Sequence, residues 1–283
     1  MLGVQSLDQR QSVLPYGALH GHSSRDVHIV AKAATDDYSV RIVGNGGTAL
    51  TLQQYRAVYS FVRRCVLTGI WSSLSRVNLF LGGLSGCAVP LVNTSGGTTD
   101  TLTNFVSGDY GDATGLTGNG TSKYIDTGLQ LSSPGTGCMG FYLRNTMSSS
   151  AQRVPIGCTN GTDLYRILQS TAPNYVSVWG GTGTTSQNPG VVMPVGCWHL
   201  DRSAPTLYRV YLNGSQHLTR NTSTTPGANS QNVYVFAQNA SGTAGMHCDA
   251  SLGMYWVGAS IMSNQADLAS IVQSLMAALG RNV

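Results

Sequence analysis

The acidic residues limit the chemistry first. All twelve are aspartate, and the 283 residues contain no glutamate. Glycosidic cleavage needs two carboxylates flanking one bond. The close pairs here are Asp36 with Asp37 and Asp109 with Asp112. Both lie in Gly/Ser-rich or turn-like sequence without strand spacing, where aspartate caps turns through its own side chain. A serine hydrolase would place its nucleophile in a G-x-S-x-G elbow, and none is present. Cys197 and His199 stand two apart on a strand-like run, which puts both on one face with Trp198 opposite. A thiol–base pair is conceivable there, but a core cysteine beside an edge histidine is the plainer reading. His20 and His22 with His28 and Asp26 have metal-ligand types but read as surface histidines of a polar segment. His247-Cys248-Asp249 is weaker still. The expectation is a chain with no catalytic residues, no metal site and no cofactor.

One stretch has a binding character. In "NYVSVWGG" (174–181) the alternation sets Tyr175, Ser177 and Trp179 on one side and Val176 and Val178 on the other. Asn174, Tyr175 and Trp179 are the candidate ligand-binding residues: the rings would stack a sugar and the amide would hydrogen-bond it. The alternative is that this side is a covered face of a sandwich.

The elements that must position such residues are mostly strands. From about 88 to 262, short apolar-alternating runs recur between Gly/Ser/Thr/Asn turns: "GFYLRNT" (140–146), "LYRILQ" (164–169), "GCWHLDRS" (196–203), "NVYVFAQ" (232–238) and "GMYWVGASI" (253–261). In "LYRVYLNGSQHLTR" (207–220), Asn213-Gly214 separates two runs and predicts a two-residue hairpin turn, which needs positive φ at both positions. That many short strands predicts an all-β jelly-roll sandwich. Leu52, Tyr55, Val58, Tyr59, Val62 and Val66 recur at helical spacing behind a Thr51/Gln54 capping box, so 51–66 is a predicted helix. Leu268, Ile271, Val272, Leu275 and Leu279 predict a second over 263–280, capped by Ser263 and ended by Gly280. Residues 1–47 read as a polar assembly arm with strand-like runs at 26–33 and 38–44 and a "GNGG" hinge. The expected organisation is this arm (1–47), a helical lead-in (48–87) and the sandwich with its C-terminal helix (88–283).

Composition narrows the partners. Charged residues are 10%, and the bases are fourteen arginines and two lysines, Lys32 and Lys123, scattered with no run beyond Arg63-Arg64. A nucleic-acid footprint should be clustered, so nucleic acid is not expected. No segment approaches a membrane span's roughly 18 apolar residues, and the first residues lack the basic and apolar regions of a secretory signal. The six cysteines are far apart with no C-x-x-C pair, which argues against structural zinc and for free buried thiols.

Several stretches together resemble phage and bacterial proteins with a concanavalin A-like, LamG-type jelly roll: "GLTGNGTSKYIDTGL" (115–129), "RVYLNG" (209–214), "NVYVFAQNASG" (232–242) and "GMYWVGASIMSNQADLASIVQSLMAALGR" (253–281). The segment 51–81 is similar to the helical lead-in of such proteins. The resemblance covers roughly 50–283 and speaks to fold more than function. It implies a non-enzymatic virion protein of tail-fibre, head-fibre or capsid-decoration type, a homo-oligomer in contact with other virion proteins and with host-cell surface glycan. The alternatives are a glycan-binding module of a bacterial surface protein and a degenerate glycosidase. Hydrolases of this resemblance use a Glu-x-Asp-x-x-Glu strand, which a chain without glutamate does not have. Modules of this type also hold calcium in aspartate loops; Asp126 and Asp163 are the candidates, with Asp126 better read as a turn brace.

Overall fold

The computed structural model describes residues 23–283 apart from 95–96, 132–134, 172–174, 181–191, 222–225 and 262. Within them, the region expected to be an irregular arm is a helix, α1 (Ser24–Gly44). Ser23 and Asp26 form a capping box at its start. Val27, Ala31, Thr35, Tyr38 and Ile42 form its buried stripe, a period of three to four that belongs to a helix and not a strand. The β-branched residues between them suggested strands, but Ile29, Val40 and Val43 lie on the exposed side. Ile42 closes the stripe against a cradle of glycines. A Cβ on Gly82 would stand 2.4 Å from its Cγ2, and one on Gly47 2.9 Å from it.

Helix α2 (Leu52–Leu67) starts at the expected capping box, with Thr51 N–H donating to Gln54 Oε1 at 2.9 Å and Gln54 N–H to Thr51 Oγ at 3.2 Å. A single turn, α3 (Gly83–Gly86), follows. Helix α4 (Gln265–Ala278) buries Leu268, Ile271, Val272 and Leu275 as predicted. Its N-cap is Asn264, not Ser263, and the Asn264 amide donates instead to the Thr68 carbonyl at the end of α2. At the other end Gly280 takes φ +69°, Arg281 N–H donates to Met276 and Gly280 N–H to Ala277. This paired closure is a Schellman motif, which favours glycine at that position.

The strands form two mainly antiparallel sheets packed face to face, a sandwich of concanavalin-like jelly-roll type, with Gln238–Ala240 running parallel to Arg153–Thr159. The larger runs in the order Ser215–Asn221, Leu207–Leu212, Gly196–Ala204, Gly137–Leu143, Ser251–Gly258, Leu74–Asn78, Val92–Asn93. The smaller runs Tyr175–Trp179, Leu164–Gln169, Arg153–Thr159, Asn229–Val235, Tyr124–Leu131, Thr101–Thr103. The Asn213-Gly214 hairpin is present, with φ of +52° and +80°.

Alternation along each strand sorts residues into two cores. Between the sheets, Met139, Phe141, Trp198, Leu200, Tyr255 and Val257 of the larger sheet meet Ile125, Ile156, Tyr165, Ile167, Val233 and Val235 of the smaller. On the larger sheet's other face, Cys138, Tyr142, Cys197, Met254 and Trp256 pack against α1, α2 and α4. The molecule therefore has three layers: helices, larger sheet, smaller sheet. No helix among the described residues is long and apolar enough to cross a membrane.

Two buried arginines tie the layers together. Arg76 pairs with Asp100, whose other oxygen accepts from Asn78 at 2.7 Å and Tyr255 at 2.6 Å. Arg281 donates to the carbonyls of Asp112, Leu79, Gly253 and Phe80. A buried cation is tolerable only with such partners.

Candidate functional site

Most of the polar groups singled out by sequence have structural work. Asp36 accepts from Lys32 and from Tyr55 at 2.6 Å, and Asp37 from Arg41 at 2.7 Å. Asp109 accepts from the Val106 amide and pairs with Lys123. Asp112 accepts from Tyr110 and Gln54. Neither pair faces another carboxylate across a cleft. His20 and His22 lie outside the described residues. His28 is an exposed residue of α1, its Nδ1 2.7 Å from Tyr59 Oη, and Asp26 is used in the cap. Asp163 accepts from the Gly227 amide at 3.1 Å.

The Cys197/His199 strand does put both residues on one face, the face beneath the helices. There His199 joins Asp201 and Cys138 in a buried cluster whose nitrogen, oxygen and sulfur lie within 4.8 Å of one another. Its hydrogen bonds argue against a metal. Trp256 Nε1, which can only donate, lies 3.1 Å from His199 Nδ1. Nδ1 must then be the acceptor, and Nε2 carries the hydrogen and donates to Asp201 Oδ2 at 3.3 Å. A metal on Nε2 would require that hydrogen to leave. Asp201 is further held by the Ser260 hydroxyl at 2.6 Å and the Ile261 amide at 2.8 Å, so the cluster ties the Ser251–Gly258 strand's exit to the sheet. Burial pushes the Cys197 thiol up to about 12 and Cys138 well above its ordinary value. Neither is a thiolate nucleophile.

The proposed aromatic platform is corrected in part. Trp179 sits opposite Tyr165 on the neighbouring strand, 1% exposed, its ring edge-on to Tyr165 at 5.7 Å and against Gly137. It belongs to the core between the sheets. Alternation alone does not say which side of a strand faces inward. Asn174 lies outside the described residues. Tyr175 begins the Tyr175–Trp179 strand, paired with Gln169.

The outer face of the smaller sheet carries a different set. With Ile125, Val233, Val235 and Ile156 turned inward, pleating turns Tyr124, Asp126, Asn232 and Tyr234 outward. Tyr124 and Tyr234 stack with centroids 4.8 Å apart and planes at 24°, and His247 stands 6.2 Å from Tyr124. Asp126 lies directly opposite Tyr234. It accepts from the Gly128 amide at 2.8 Å and from Asn232 Nδ2 at 2.9 and 3.2 Å, so it braces two neighbouring strands where a turn brace was expected. Burial, then the Asp126 charge, raises the Tyr234 phenol above its ordinary range. Continuing across the strands, Tyr234 pairs with Gly157 and Gly157 with Arg166. Asp126, Tyr234 and Arg166 thus share one row of the outer face, with Tyr124 and Asn232 in the adjacent rows; Tyr234 and Arg166 are each 7% exposed, while Tyr124 and Asp126 are half-buried. Tyr124 and Tyr234 were not singled out in the sequence. The signal was the Asn232/Tyr234 alternation with Val233 and Val235, but only strand pairing brings Tyr124 beside it.

No known family model matches the chain, and no curated protein sequence matches it. Among solved structures it is similar to domain 4 of AbnA, a GH43 extracellular arabinanase from Geobacillus stearothermophilus, in complex with arabinotriose: 13% identity over 70% of this chain and 98% of that one, TM-score 0.50. It is also similar to the CBM40 of the Ruminococcus gnavus IT-sialidase, at 16% identity over 49% of this chain and 84% of that one, TM-score 0.40. At 13% identity the likeness to the arabinanase domain speaks to the β-sandwich fold alone.

Proposed function

We propose that the chain is a non-catalytic glycan-binding β-sandwich module that binds on the outer face of its smaller sheet. The observation that carries this is the half-buried Tyr124 ring, backed by the buried Tyr234 ring on which it stacks, with Asp126 and Asn232 beside it. Aromatic faces take the apolar face of a sugar ring, and neighbouring carboxylate and amide groups hydrogen-bond its hydroxyls. The other sandwich face cannot serve, because the helices cover it. The arabinotriose bound to the arabinanase domain supports the class of ligand, on a fold of the same kind. Absence of glutamate and the separate engagement of each aspartate pair support binding without cleavage. Placement on a phage particle, with virion partners and self-association, rests on the sequence resemblance alone.

A glycan array followed by titration calorimetry tests the reading. Binding of an oligosaccharide, weakened at least tenfold in Tyr234→Ala with the fold intact and without release of reducing sugar, is the expected result. Binding unchanged in both Tyr124→Ala and Tyr234→Ala would place the site elsewhere.

A further inference from the structure

Arg166 is the unexplained member of that row. It is 7% exposed. Its neighbours Tyr165 and Ile167 point into the core, so its own side chain rises on the outer face. Gly157 leaves the room: a Cβ there would stand 2.6 Å from Arg166 Cβ. Among the described residues Arg166 has no carboxylate partner. Nη1 donates to Gln238 Oε1 and lies 3.5 Å from Met246 Sδ, and Nε is buried with no hydrogen-bond partner. The fold's other deeply buried arginines are treated differently: Arg76 meets Asp100, Arg202 meets the carbonyls of Trp179, Ala204 and Pro205, and Arg281 meets four carbonyls. A guanidinium is a rigid fork of five donors whose natural complement is a planar carboxylate. Burial without that complement lowers the Arg166 pKa from its ordinary value and leaves a positive charge awaiting an anion.

Met246 forms part of its cover. Met246 is 36% exposed, and its unbranched side chain has several rotatable bonds with which to move aside. Its backbone, at φ +52°, is held by its carbonyl accepting from Val154 N–H at 2.8 Å.

We infer that Arg166 is the charge-reading residue of this face, and that the glycan bound there carries a carboxylate which displaces the Met246 thioether and takes the guanidinium. This rests on the glycan-binding reading above and specifies its ligand as an acidic sugar. No covalent step is involved.

The test is an array of uronic- and sialic-acid oligosaccharides, each printed beside its methyl ester, followed by titration of the best pair with wild type, Arg166→Gln and Met246→Ala, all checked for an unchanged unfolding midpoint. The acid should bind at least tenfold tighter than its ester. Arg166→Gln should abolish that preference while leaving ester binding within twofold, and Met246→Ala should strengthen acid binding. Raising salt should weaken the acid and not the ester. Equal binding of acid and ester by wild type overturns the charge-reading role and leaves glycan binding standing. Binding of neither overturns both. Should Arg166→Gln fail to fold, the acid/ester ratio of wild type and the Met246→Ala response still decide the matter.

Discussion

The indole N–H of Trp256 points at Nδ1 of His199 from 3.1 Å, and that one donor sets the hydrogen on the opposite ring nitrogen. The ring is therefore an Nε2–H tautomer donating to Asp201. Nitrogen-15 spectra should show that tautomer, and zinc should leave the His199 signals unchanged. Trp256→Phe should alter them, because the donor is gone. A zinc-induced shift of Nε2, lost in Cys138→Ser, would make the cluster a metal site after all.

The helical layer should behave as part of the core. Leu275 is 2% exposed and Ile42 fully buried. Truncating either to alanine should lower stability by about 2–5 kcal/mol in urea melts. An unchanged midpoint in Ile42→Ala would mean that α1 is not docked in solution.

Alkaline pH should destabilise the fold through its thiols. Cys158, Cys197 and Cys248 are pushed by burial from 9.0 to about 12. Between those values the unfolded chain has lost each proton and the folded chain keeps it. The unfolded state binds fewer protons, so stability falls as pH rises from about 9. The slope should approach about 1.4 kcal/mol per pH unit for each such thiol. Urea midpoints at pH 7.5, 9 and 10 measure it, and Cys197→Ala should make the decline shallower. In the native state all six thiols, buried as they are, should resist Ellman's reagent until denaturant is added.

The hairpin glycine should not tolerate a side chain. Gly214 holds φ +80°, and a Cβ there would stand 3.0 Å from Ala266 Cα and Ala269 Cβ in α4. Left-handed strain alone costs roughly 1–2 kcal/mol. Gly214→Ala should therefore lower the melting midpoint more than Ser215→Ala, which sits beside it without that constraint.

These elements show what was legible. Strands, the Asn213-Gly214 turn, α2 and α4 were readable because each carries its pattern in a short window. Helix α1 was not, since Ala31 and Thr35 interrupt its apolar stripe while exposed Ile29, Val40 and Val43 imitate strands. The candidate site was hidden for another reason. Period-two alternation is symmetric, so it grouped Tyr175 with Trp179 without saying which side of the sheet is dry. Tyr124 and Tyr234 belong to separate strands, and nothing local to either announces the stack.

The layering has a kinetic consequence. Helices α1 and α2 precede the sandwich in the chain and α4 follows it, yet the three share one core. Helix α4 reaches α1 and α2 through a closure that, like the pairing of Leu74–Asn78 with Ser251–Gly258, spans nearly the whole sandwich and carries the entropy of a long loop. Contacts so remote in sequence form slowly. Until they form, the apolar stripes of α2 and α4 stay open to other copies of the chain. Refolding yield should therefore fall with protein concentration, even where the finished molecule is stable.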